Sequence, residues 1–331
     1  MASGQSSPLA EHRKTITSES PAKILRRILS SPGLHQTPAC FDALSSKLVE
    51  RAGFNVGFTS GFSISSARLG MPDAGLISYG EIVEQGRLIT DAVSIPVIGD
   101  ADTGYGNAMN VKRTVKGYIK AGFAGIMIED QVLPKACGHT RGRKVVSREE
   151  AVMRIRAAVD AREESGSDIV IVARTDSRQA VSFEESLWRT RAFAEVGADV
   201  LFIDALASKG EMKAFCETAS QIPKLANMLE GGGKTPILTP SELEDIGYKL
   251  VVYPLSLLGV SIKAMQVLYL NLVGSLTFFS FRTKEKHKQY KIVLYHHLLM
   301  QLVRIFLKYL FNVCKTLNSL VPSGMKVQIF S

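Results

Sequence analysis

Short apolar runs alternate with longer helical patterns from about residue 36 to residue 255. The runs are rich in β-branched residues and mostly continuous, which is typical of strands buried on both faces of a parallel sheet. The pattern predicts eight strands, at residues 37–40, 55–59, 95–100, 125–129, 169–174, 200–204, 224–228 and 249–253.

Helix-start and helix-end signals separate these runs. In a capping box, a Ser or Thr before the helix is followed three residues later by Glu. Four segments fit this pattern, beginning at Ser78, Ser147, Ser182 and Thr239. Glycines typical of helix ends follow periodic apolar stretches at residues 122, 197 and 247. Eight strands alternating with capped helices predict a closed (β/α)₈ barrel. A doubly wound open sheet is the alternative, but no G-x-G-x-x-G motif follows the first strand to support it.

Polar side chains follow the strands at the end where such a barrel holds its active site. Asp100 and Asp102 are separated by one residue, so on an extended backbone both point to the same side. Paired carboxylates suit Mg²⁺, which prefers oxygen ligands and keeps water or substrate as the others. For this pair alone, a solvated acidic turn is the alternative. The other strand ends bring Ser60-Gly61-Phe62, Glu129-Asp130, Arg174-Thr175-Asp176, Asp204, Asn227 and Glu230.

A cysteine in a basic segment follows the fourth run. Residues 134–143 are Pro-Lys-Ala-Cys-Gly-His-Thr-Arg-Gly-Arg, so Lys135, His139, Arg141 and Arg143 surround Cys137. Cationic neighbours favour the thiolate. We expect a mobile lid that closes over an anionic substrate and brings in Cys137 as acid or base. A basic surface loop with an incidental cysteine is the alternative.

Charge and cysteine usage limit the classes of partner. The chain has 331 residues and a formal net charge of +9, but nine Lys or Arg and one acid lie from Leu268 onward. The rest of the chain is therefore nearly neutral, and no nucleic-acid partner is expected. The four cysteines lie far apart without a C-x-x-C pair, so neither a disulfide scaffold nor a zinc site is predicted.

The two ends of the chain differ from the middle. Residues 1–22 are rich in Ser and Thr and lack the apolar core of a secretory signal, so a disordered or transit-like segment is predicted. Residues 23–266 are predicted to form the barrel domain, and residues 267–331 a divergent basic and apolar tail. The apolar run 267–281 is shorter than the roughly 20 residues that span a bilayer. Residues 292–313 could form a basic amphipathic helix at a membrane surface, although a membrane partner is not expected. An alternative or faulty reading of the gene is the other explanation for the tail.

Several motifs, in order along the chain, carry a family resemblance. They are Ser60-Gly61, Asp73, Asp100-Ala-Asp102-Thr-Gly-Tyr-Gly-Asn107, Glu129-Asp130-Gln131, Lys135-Ala-Cys-Gly-His139, Val172-Ala-Arg174-Thr-Asp176 and Asn227-Met-Leu-Glu-Gly-Gly-Gly-Lys-Thr-Pro236. Together they resemble the isocitrate lyase/phosphoenolpyruvate mutase superfamily over about residues 23–266. Within it, the sequence is most similar to the plant branch labelled carboxyvinyl-carboxyphosphonate phosphorylmutase.

The resemblance implies a (β/α)₈ barrel of that family, with Mg²⁺ or Mn²⁺ as the cofactor. The implied metal residues are Asp73, Asp100, Asp102 and Glu129, with Asp100 as the direct ligand and Asp102 orienting a water. The implied substrate-binding residues are Ser60, Gly61, Phe62, Lys135, Gly138, Arg174, Asp204 and Asn227. The implied catalytic residues are Cys137, His139 and Arg174. The family also implies a homotetramer with a swapped C-terminal helix, which the divergent tail calls into question, and a chloroplast location with the cytoplasm as the alternative.

The Cys-Gly-His sequence favours one chemistry within the superfamily. Its C–C lyases carry this sequence on their lid, whereas its phosphonate mutases resemble one another in having Asn and no cysteine there. We therefore expect a Mg²⁺-dependent lyase or hydrolase that cleaves a C–C bond of a small 2-hydroxy or 2-oxo dicarboxylic acid. The reaction would pass through a Mg²⁺-stabilised enolate, with Cys137 as general acid. A P–C bond phosphorylmutase and a catalytically impaired splice product with a membrane-associating tail are the alternatives. Ala136, Asp204 and Phe58 depart from the pattern of many lyases, so isocitrate itself is not the expected substrate.

Overall fold

Eight parallel strands form the centre of the chain. The computed structural model describes residues 19–133, 135, 142–230 and 233–280, with backbone alone for residues 271–280. The chain divides into two units, residues 1–263 and residues 264–331. The first unit contains β1 (His35–Cys40), β2 (Gly57–Thr59), β3 (Val97–Asp100), β4 (Gly125–Glu129), β5 (Val170–Thr175), β6 (Val200–Ile203), β7 (Leu225–Asn227) and β8 (Leu250–Tyr253). All eight predicted strands are thus confirmed.

Helices connect these strands. Those in the described ranges are α1 (Pro21–Ser30), α2 (Ala43–Arg51), α3 (Gly61–Leu69), α4 (Tyr79–Ala92), α5 (Ala108–Lys120), α6 (Arg148–Glu164), α7 (Ser177–Ala180), α8 (Phe183–Glu195), α9 (Lys209–Glu217), α10 (Pro240–Ile246) and α11 (Ser256–Ser280). The four predicted N-caps are confirmed, because each side-chain oxygen accepts a hydrogen bond from the backbone N–H three residues later. The reciprocal Glu hydrogen bond completes the box at Ser78 and Thr239. At the other two sites, Glu150 and Glu185 bind arginine side chains instead.

Hydrogen bonds between neighbouring strands run around the sheet in the order β6-β5-β4-β3-β2-β1-β8-β7, all parallel. A parallel bridge between Leu201 and Lys224 connects β6 to the start of β7. At this point the Leu201 N–H donates to the Pro223 carbonyl at 2.9 Å. The predicted barrel is therefore confirmed, and the open doubly wound sheet is not the fold.

Side-chain alternation divides the apolar core between the inside and the outside of the barrel. On β5, Val170 and Val172 belong to the interior cluster, whereas Ile171 and Ala173 pack in the layer between sheet and helices. The interior cluster draws on all eight strands. Because alternate residues share a face, Arg174 follows Val172 on the interior side, at the carboxyl end of its strand.

Helix α1 covers the opposite, amino-terminal end of the barrel. Its Leu25 is fully buried in the interior cluster. Its Arg26 donates Nε to the Asp168 carbonyl at 2.8 Å and pairs through Nη1 with Asp199 at 2.9 Å. The helix begins at Pro21, two residues before the predicted domain boundary. The carboxyl ends of the strands therefore form the face of the barrel that α1 does not cover, and a functional site is expected there.

Of the two segments with membrane-related expectations, residues 267–280 form the last part of α11. Among the described helices, none combines the length and the apolar character needed to cross a bilayer. Residues 1–18 and the predicted amphipathic segment 292–313 lie outside the described residues.

Candidate active site

Two buried carboxylates meet where β3 ends. The Gly61 N–H donates to Oδ2 of Asp100 at 2.9 Å, and the Asp102 N–H donates to Oδ1 of Asp100 at 3.1 Å. The N–H of Gly61, which the family resemblance assigns to substrate binding, therefore holds a carboxylate of the protein itself. A methyl group at Gly61 would lie 3.1 Å from Asp100 Oδ2 and 3.2 Å from Asp102 Oδ1. Glycine is needed here for close approach of backbone to the two acids.

The backbone at Asp102 is in the left-handed region. Its φ is +48°, which is uncommon for a residue other than glycine and is found where surrounding contacts enforce it. One such contact is the hydrogen bond from the Glu129 N–H to the Asp102 carbonyl, at 2.8 Å. This bond links the end of β3 to the end of β4. Asp102 is thereby held beside the carboxylates that the sequence grouped with it.

Lys135 connects the same acids. Its Nζ lies 2.7 Å from Oδ1 of Asp73 and also contacts Oδ1 of Asp102. The Lys135 side chain is 4% exposed, so these ion pairs are shielded from water. The sequence assigned Lys135 to the substrate and the two aspartates to a metal. In the structure, the three groups bind one another.

Arg174 lies among carboxylates from three strand ends. Nη1 is 3.2 Å from Oε2 of Glu129, and Nη2 is 2.9 Å from Oδ1 of Asp176. Nη2 also lies 3.3 Å from Oδ2 of Asp204, and the guanidinium is 5.4 Å from the centre of the Phe202 ring. One partly buried cation thus binds the ends of β4, β5 and β6.

A second arginine, Arg143, reaches the same carboxylates. It contacts Asp176 through Nη1, and its Nη2 lies 2.8 Å from Oδ2 of Asp204. Asn227 donates Nδ2 to Oδ1 of Asp204 at 3.1 Å. The family resemblance assigned a substrate-binding role to Asp204 and Asn227, whereas the sequence placed Asp176 at a strand end and Arg143 in the basic segment without a role for either. The spacing from Arg174 to Asp176 was a usable signal, because residues two apart share a strand face. No local signal separated Arg143 from the other cations of its segment.

Asp130 supports this group from the position directly after β4. Its Oδ2 accepts from Thr175 Oγ1 at 2.6 Å and from Arg189 Nη1 at 2.9 Å. Its Oδ1 accepts from the Asp176 N–H at 2.9 Å. A fully buried aspartate therefore fixes the backbone that carries Asp176.

Burial and crowded charge raise the pKa values of these acids. Burial is the main cause that raises the pKa of Glu129 to about 8, opposed by Arg174 and increased by the negative charge of Asp176. Burial and the neighbouring charge of Asp102 raise the pKa of Asp100. Burial likewise raises the pKa of Asp102, against the opposing charge of Lys135. Burial disfavours the charged form of Lys135, but the carboxylates of Asp102, Glu129 and Asp73 raise its pKa well above the ordinary value.

The donor set suits a divalent metal ion. Six carboxylates face three cations in the described part of the site: Asp73, Asp100, Asp102, Glu129, Asp176 and Asp204 against Lys135, Arg143 and Arg174. A divalent cation would offset this excess, and hard oxygen donors are those that Mg²⁺ takes. Among the described residues, no three acids converge in the geometry of a formed metal centre. Lys135 occupies oxygens of two of them.

The other predicted site residues lie at the mouth or outside the described residues. Ser60 is buried and N-caps α3, its Oγ accepting from the Ser63 N–H at 3.4 Å, and Phe62 is half-buried beside it. Cys137, Gly138 and His139 lie outside the described residues. Glu230 accepts a hydrogen bond from the Leu255 N–H at 3.2 Å, near the start of α11.

Comparisons with known proteins agree with this architecture. The family model described as phosphoenolpyruvate phosphomutase matches residues 25–272. The chain is 46% identical over 243 residues to 2,3-dimethylmalate lyase of Eubacterium barkeri, covering 73% of this chain and 82% of the relative. It is 41% identical over 243 residues to the chloroplastic carboxyvinyl-carboxyphosphonate phosphorylmutase of Arabidopsis thaliana, covering 72% and 70%. A solved structure of oxaloacetate acetylhydrolase with the inhibitor 3,3-difluorooxalacetate has a TM-score of 0.74 and 36% identity, covering 76% of this chain and 86% of that one. The chain belongs to the phosphoenolpyruvate mutase/isocitrate lyase superfamily, an enzyme family of lyases and phosphomutases.

Proposed function

We propose that this enzyme is a Mg²⁺-dependent lyase or hydrolase that cleaves a C–C bond of a small 2-hydroxy or 2-oxo dicarboxylic acid. The observation that carries the proposal is the position of Arg174. It is a partly buried cation, 13% exposed, held between Glu129, Asp176 and Asp204, and Asp100 lies at the end of the strand beside that of Glu129. A small acid bound at this cation would lie beside a set of carboxylates suited to a metal. The names of two similar proteins, 2,3-dimethylmalate lyase and oxaloacetate acetylhydrolase, support the same reaction class.

The chain offers a role for each group. Asp73, Asp100, Asp102 and Glu129 would hold Mg²⁺, which when bound supplies Lewis-acid polarisation of a substrate oxygen. Arg174 would bind and orient a substrate carboxylate. The charges that fix Arg174 are already in place, so binding requires little reorganisation of the site.

Cys137 is proposed to act as general acid. In a 2-hydroxy acid, a carboxylate of the site takes the hydroxyl proton and the hydroxyl carbon becomes a carbonyl as the C–C bond breaks. The electron pair of that bond remains on the other carbon as the enolate, which then takes the thiol proton. Two described residues flank the segment that carries Cys137, namely Lys135 and Arg143. Both contact acids of the site. This placement supports the proposed role, since the segment begins and ends at the mouth of the barrel.

The test is a turnover screen of the purified full-length chain. Candidate substrates are 2,3-dimethylmalate, 2-methylisocitrate, oxaloacetate and malate, each assayed with Mg²⁺ and with EDTA. We expect cleavage of at least one with Mg²⁺, and a loss of about a hundredfold or more in Cys137→Ser. Cys216→Ser, at a buried cysteine of α9, is the matched control and keeps its turnover. Turnover that persists unchanged in EDTA or in Cys137→Ser would contradict the proposal.

A P–C bond phosphorylmutase is the second candidate. The description of the matching family and the name of the Arabidopsis thaliana relative favour it. Phosphorus NMR of phosphoenolpyruvate or carboxyvinyl-carboxyphosphonate incubated with the enzyme decides the matter. A new signal for the rearranged P–C product supports the mutase, and an unchanged spectrum counts against it.

A further inference from the structure

Arg143 has one buried donor without a partner among the residues that the structure describes. Its side chain is fully buried, with Nη1 on Asp176 and Nη2 on Asp204. The Nε atom is also buried, and the described residues provide no hydrogen-bond acceptor for it. A buried N–H without an acceptor is costly and is rare in folded proteins. The vacant donor therefore points to an oxygen of a ligand.

The strand order places Arg143 away from the proposed metal residues. Asp100 and Glu129 end β3 and β4, and Arg174 follows on β5. The partners of Arg143 come after β5 and β6, and Asn227 ends β7. A substrate with one end at the β3 and β4 acids would thus extend past Arg174 toward Arg143.

The second end of such a substrate meets a polar surface. Like Nε of Arg143, Oδ1 of Asn227 is buried without a hydrogen-bond partner among the described residues. Arg143 and Arg174 both contact the carboxylates of Asp176 and Asp204, so each of these two acids is paired with two cations. An incoming carboxylate would encounter an available N–H rather than an uncompensated negative charge.

We propose that Arg143 determines specificity for dicarboxylates: Nη1 and Nη2 hold Asp176 and Asp204, and Nε–H donates to the second carboxylate of the substrate. This assignment rests on the proposed function in one respect, namely that the ligand is a small 2-hydroxy or 2-oxo acid. The role is distinct from that proposed for Arg174, which would bind the first carboxylate and whose Nε, Nη1 and Nη2 each also contact an acid of the site.

The test compares two ligands that differ at one end. Malate and 2-hydroxybutyrate share a 2-hydroxy acid on a four-carbon chain, and malate has a carboxylate where the other has a methyl group. Calorimetric titration of the full-length protein with Mg²⁺ measures both dissociation constants. We expect the wild type to bind malate about tenfold or more tightly than 2-hydroxybutyrate. In Arg143→Met this preference falls to about threefold or less, whereas binding of 2-hydroxybutyrate changes little.

Further variants keep the outcome interpretable. Arg143→Lys retains a positive charge but lacks the Nε–H, and we expect it to lose most of the preference for malate while keeping the fold. Arg26→Met, which removes a paired arginine at the opposite end of the barrel, retains the full preference. If Arg143→Met fails to fold, Arg143→Lys supplies the result. An undiminished preference in Arg143→Lys or Arg143→Met, or equal binding of the two acids by the wild type, overturns the inference.

Binding and turnover separate this inference from the proposed function. A wild type that cleaves no acid but shows an Arg143-dependent preference for malate contradicts the proposed function alone. A wild type that cleaves an acid, with a preference that does not depend on Arg143, contradicts this inference alone.

Discussion

The ammonium of Lys135 lies 2.7 Å from Oδ1 of Asp73, and it also contacts Oδ1 of Asp102. Both carboxylates belong to the set proposed to bind Mg²⁺. An ammonium and a divalent cation compete for the same oxygen atoms, so each weakens the binding of the other. Lys135 is therefore a competitor of the metal as well as a neighbour of Cys137 in sequence.

Replacing Lys135 by Met is expected to tighten Mg²⁺ binding by about tenfold, because the metal no longer displaces an ammonium. The metal-free variant should also unfold at lower temperature, since two buried carboxylates lose a counter-charge. Isothermal titration with MgCl₂ and thermal unfolding measure the two effects. Lys209→Met, which breaks an exposed pair with Glu242, is the control and changes neither. Unchanged or weaker Mg²⁺ binding in Lys135→Met would refute the competition.

Gly61→Ala is expected to weaken metal binding and turnover, each by about tenfold, without unfolding the protein. The added methyl would lie 3.1 Å from Asp100 Oδ2 and 3.2 Å from Asp102 Oδ1, so the carboxylates must shift. Alanine is otherwise favourable in a helix, and Gly61 is the first residue of α3. The measurements are a Mg²⁺ titration, kcat/KM and thermal unfolding. Gly210→Ala serves as the control because its methyl would lie 3.7 Å from the nearest atom, Ser208 Oγ. Equal metal affinity in Gly61→Ala and the wild type would exclude the steric argument.

The barrel could be predicted because its signals are local. Buried parallel strands appear in the sequence as apolar runs. The hydroxyl side chains of Ser78 and Thr239, each followed three residues later by Glu, predict helix starts. The predicted strand at 95–100 began two residues too early. Pro96 has no backbone N–H to donate to the ladder, so β3 starts at Val97.

Site residues could be predicted where they follow from the alternation of side chains along a strand. They could not be predicted where they depend on contacts between residues far apart in the sequence. Glu129 and Arg174 are paired across β4 and β5 in the same register, so both end their strands side by side. Arg143 is different, because its partners Asp176 and Asp204 lie 33 and 61 residues away. In the sequence it is one cation of a basic segment, and no local pattern distinguishes a buried arginine from an exposed one.

Lys224 gives a prediction for the pH dependence of stability. Its side chain donates to the Ala219 carbonyl at 2.8 Å, and burial lowers its pKa from 10.5 to about 8. Between these values the unfolded chain binds more protons than the folded one, so this residue's contribution to stability rises with pH in that window. From pH 8 to 10.5 we expect the wild type to gain about 1 to 2 kcal/mol relative to Lys224→Met, less than the full shift because the hydrogen bond to the Ala219 carbonyl favours the charged form.

Urea unfolding of both proteins across that pH range measures the effect. Lys249→Met is the comparison variant, because Lys249 also donates to a backbone carbonyl, that of Gly33 at 3.0 Å. Burial lowers the pKa of Lys249 too, but this side chain is less buried, so we expect a smaller gain with pH. A constant difference between the wild type and Lys224→Met at all pH values would show that Lys224 does not titrate in this window.

Asp130 and Asp199 offer a matched pair that separates stability from function. Each aspartate binds arginine and accepts a backbone N–H, but Asp130 holds Asp176 at the site, whereas Asp199 binds Arg26 and Arg162 near the other end of the barrel. Asp130→Asn replaces one carboxylate oxygen by an NH₂ group, which donates hydrogen bonds and cannot accept them. This NH₂ group would face either the donors of Arg189 and Thr175 or the N–H of Asp176, and those bonds would be lost. We expect a loss of about 2 to 3 kcal/mol of stability and a fall of about tenfold or more in kcat/KM. Asp199→Asn is expected to lose stability by a similar or smaller amount and to keep kcat/KM, since its partners are remote from Arg174.

Denaturant unfolding and steady-state kinetics on both variants measure the losses of stability and of kcat/KM. Equal losses of kcat/KM in the two variants would mean that Asp130 acts through general stability, and a loss confined to Asp130→Asn would identify it as the residue that positions Asp176.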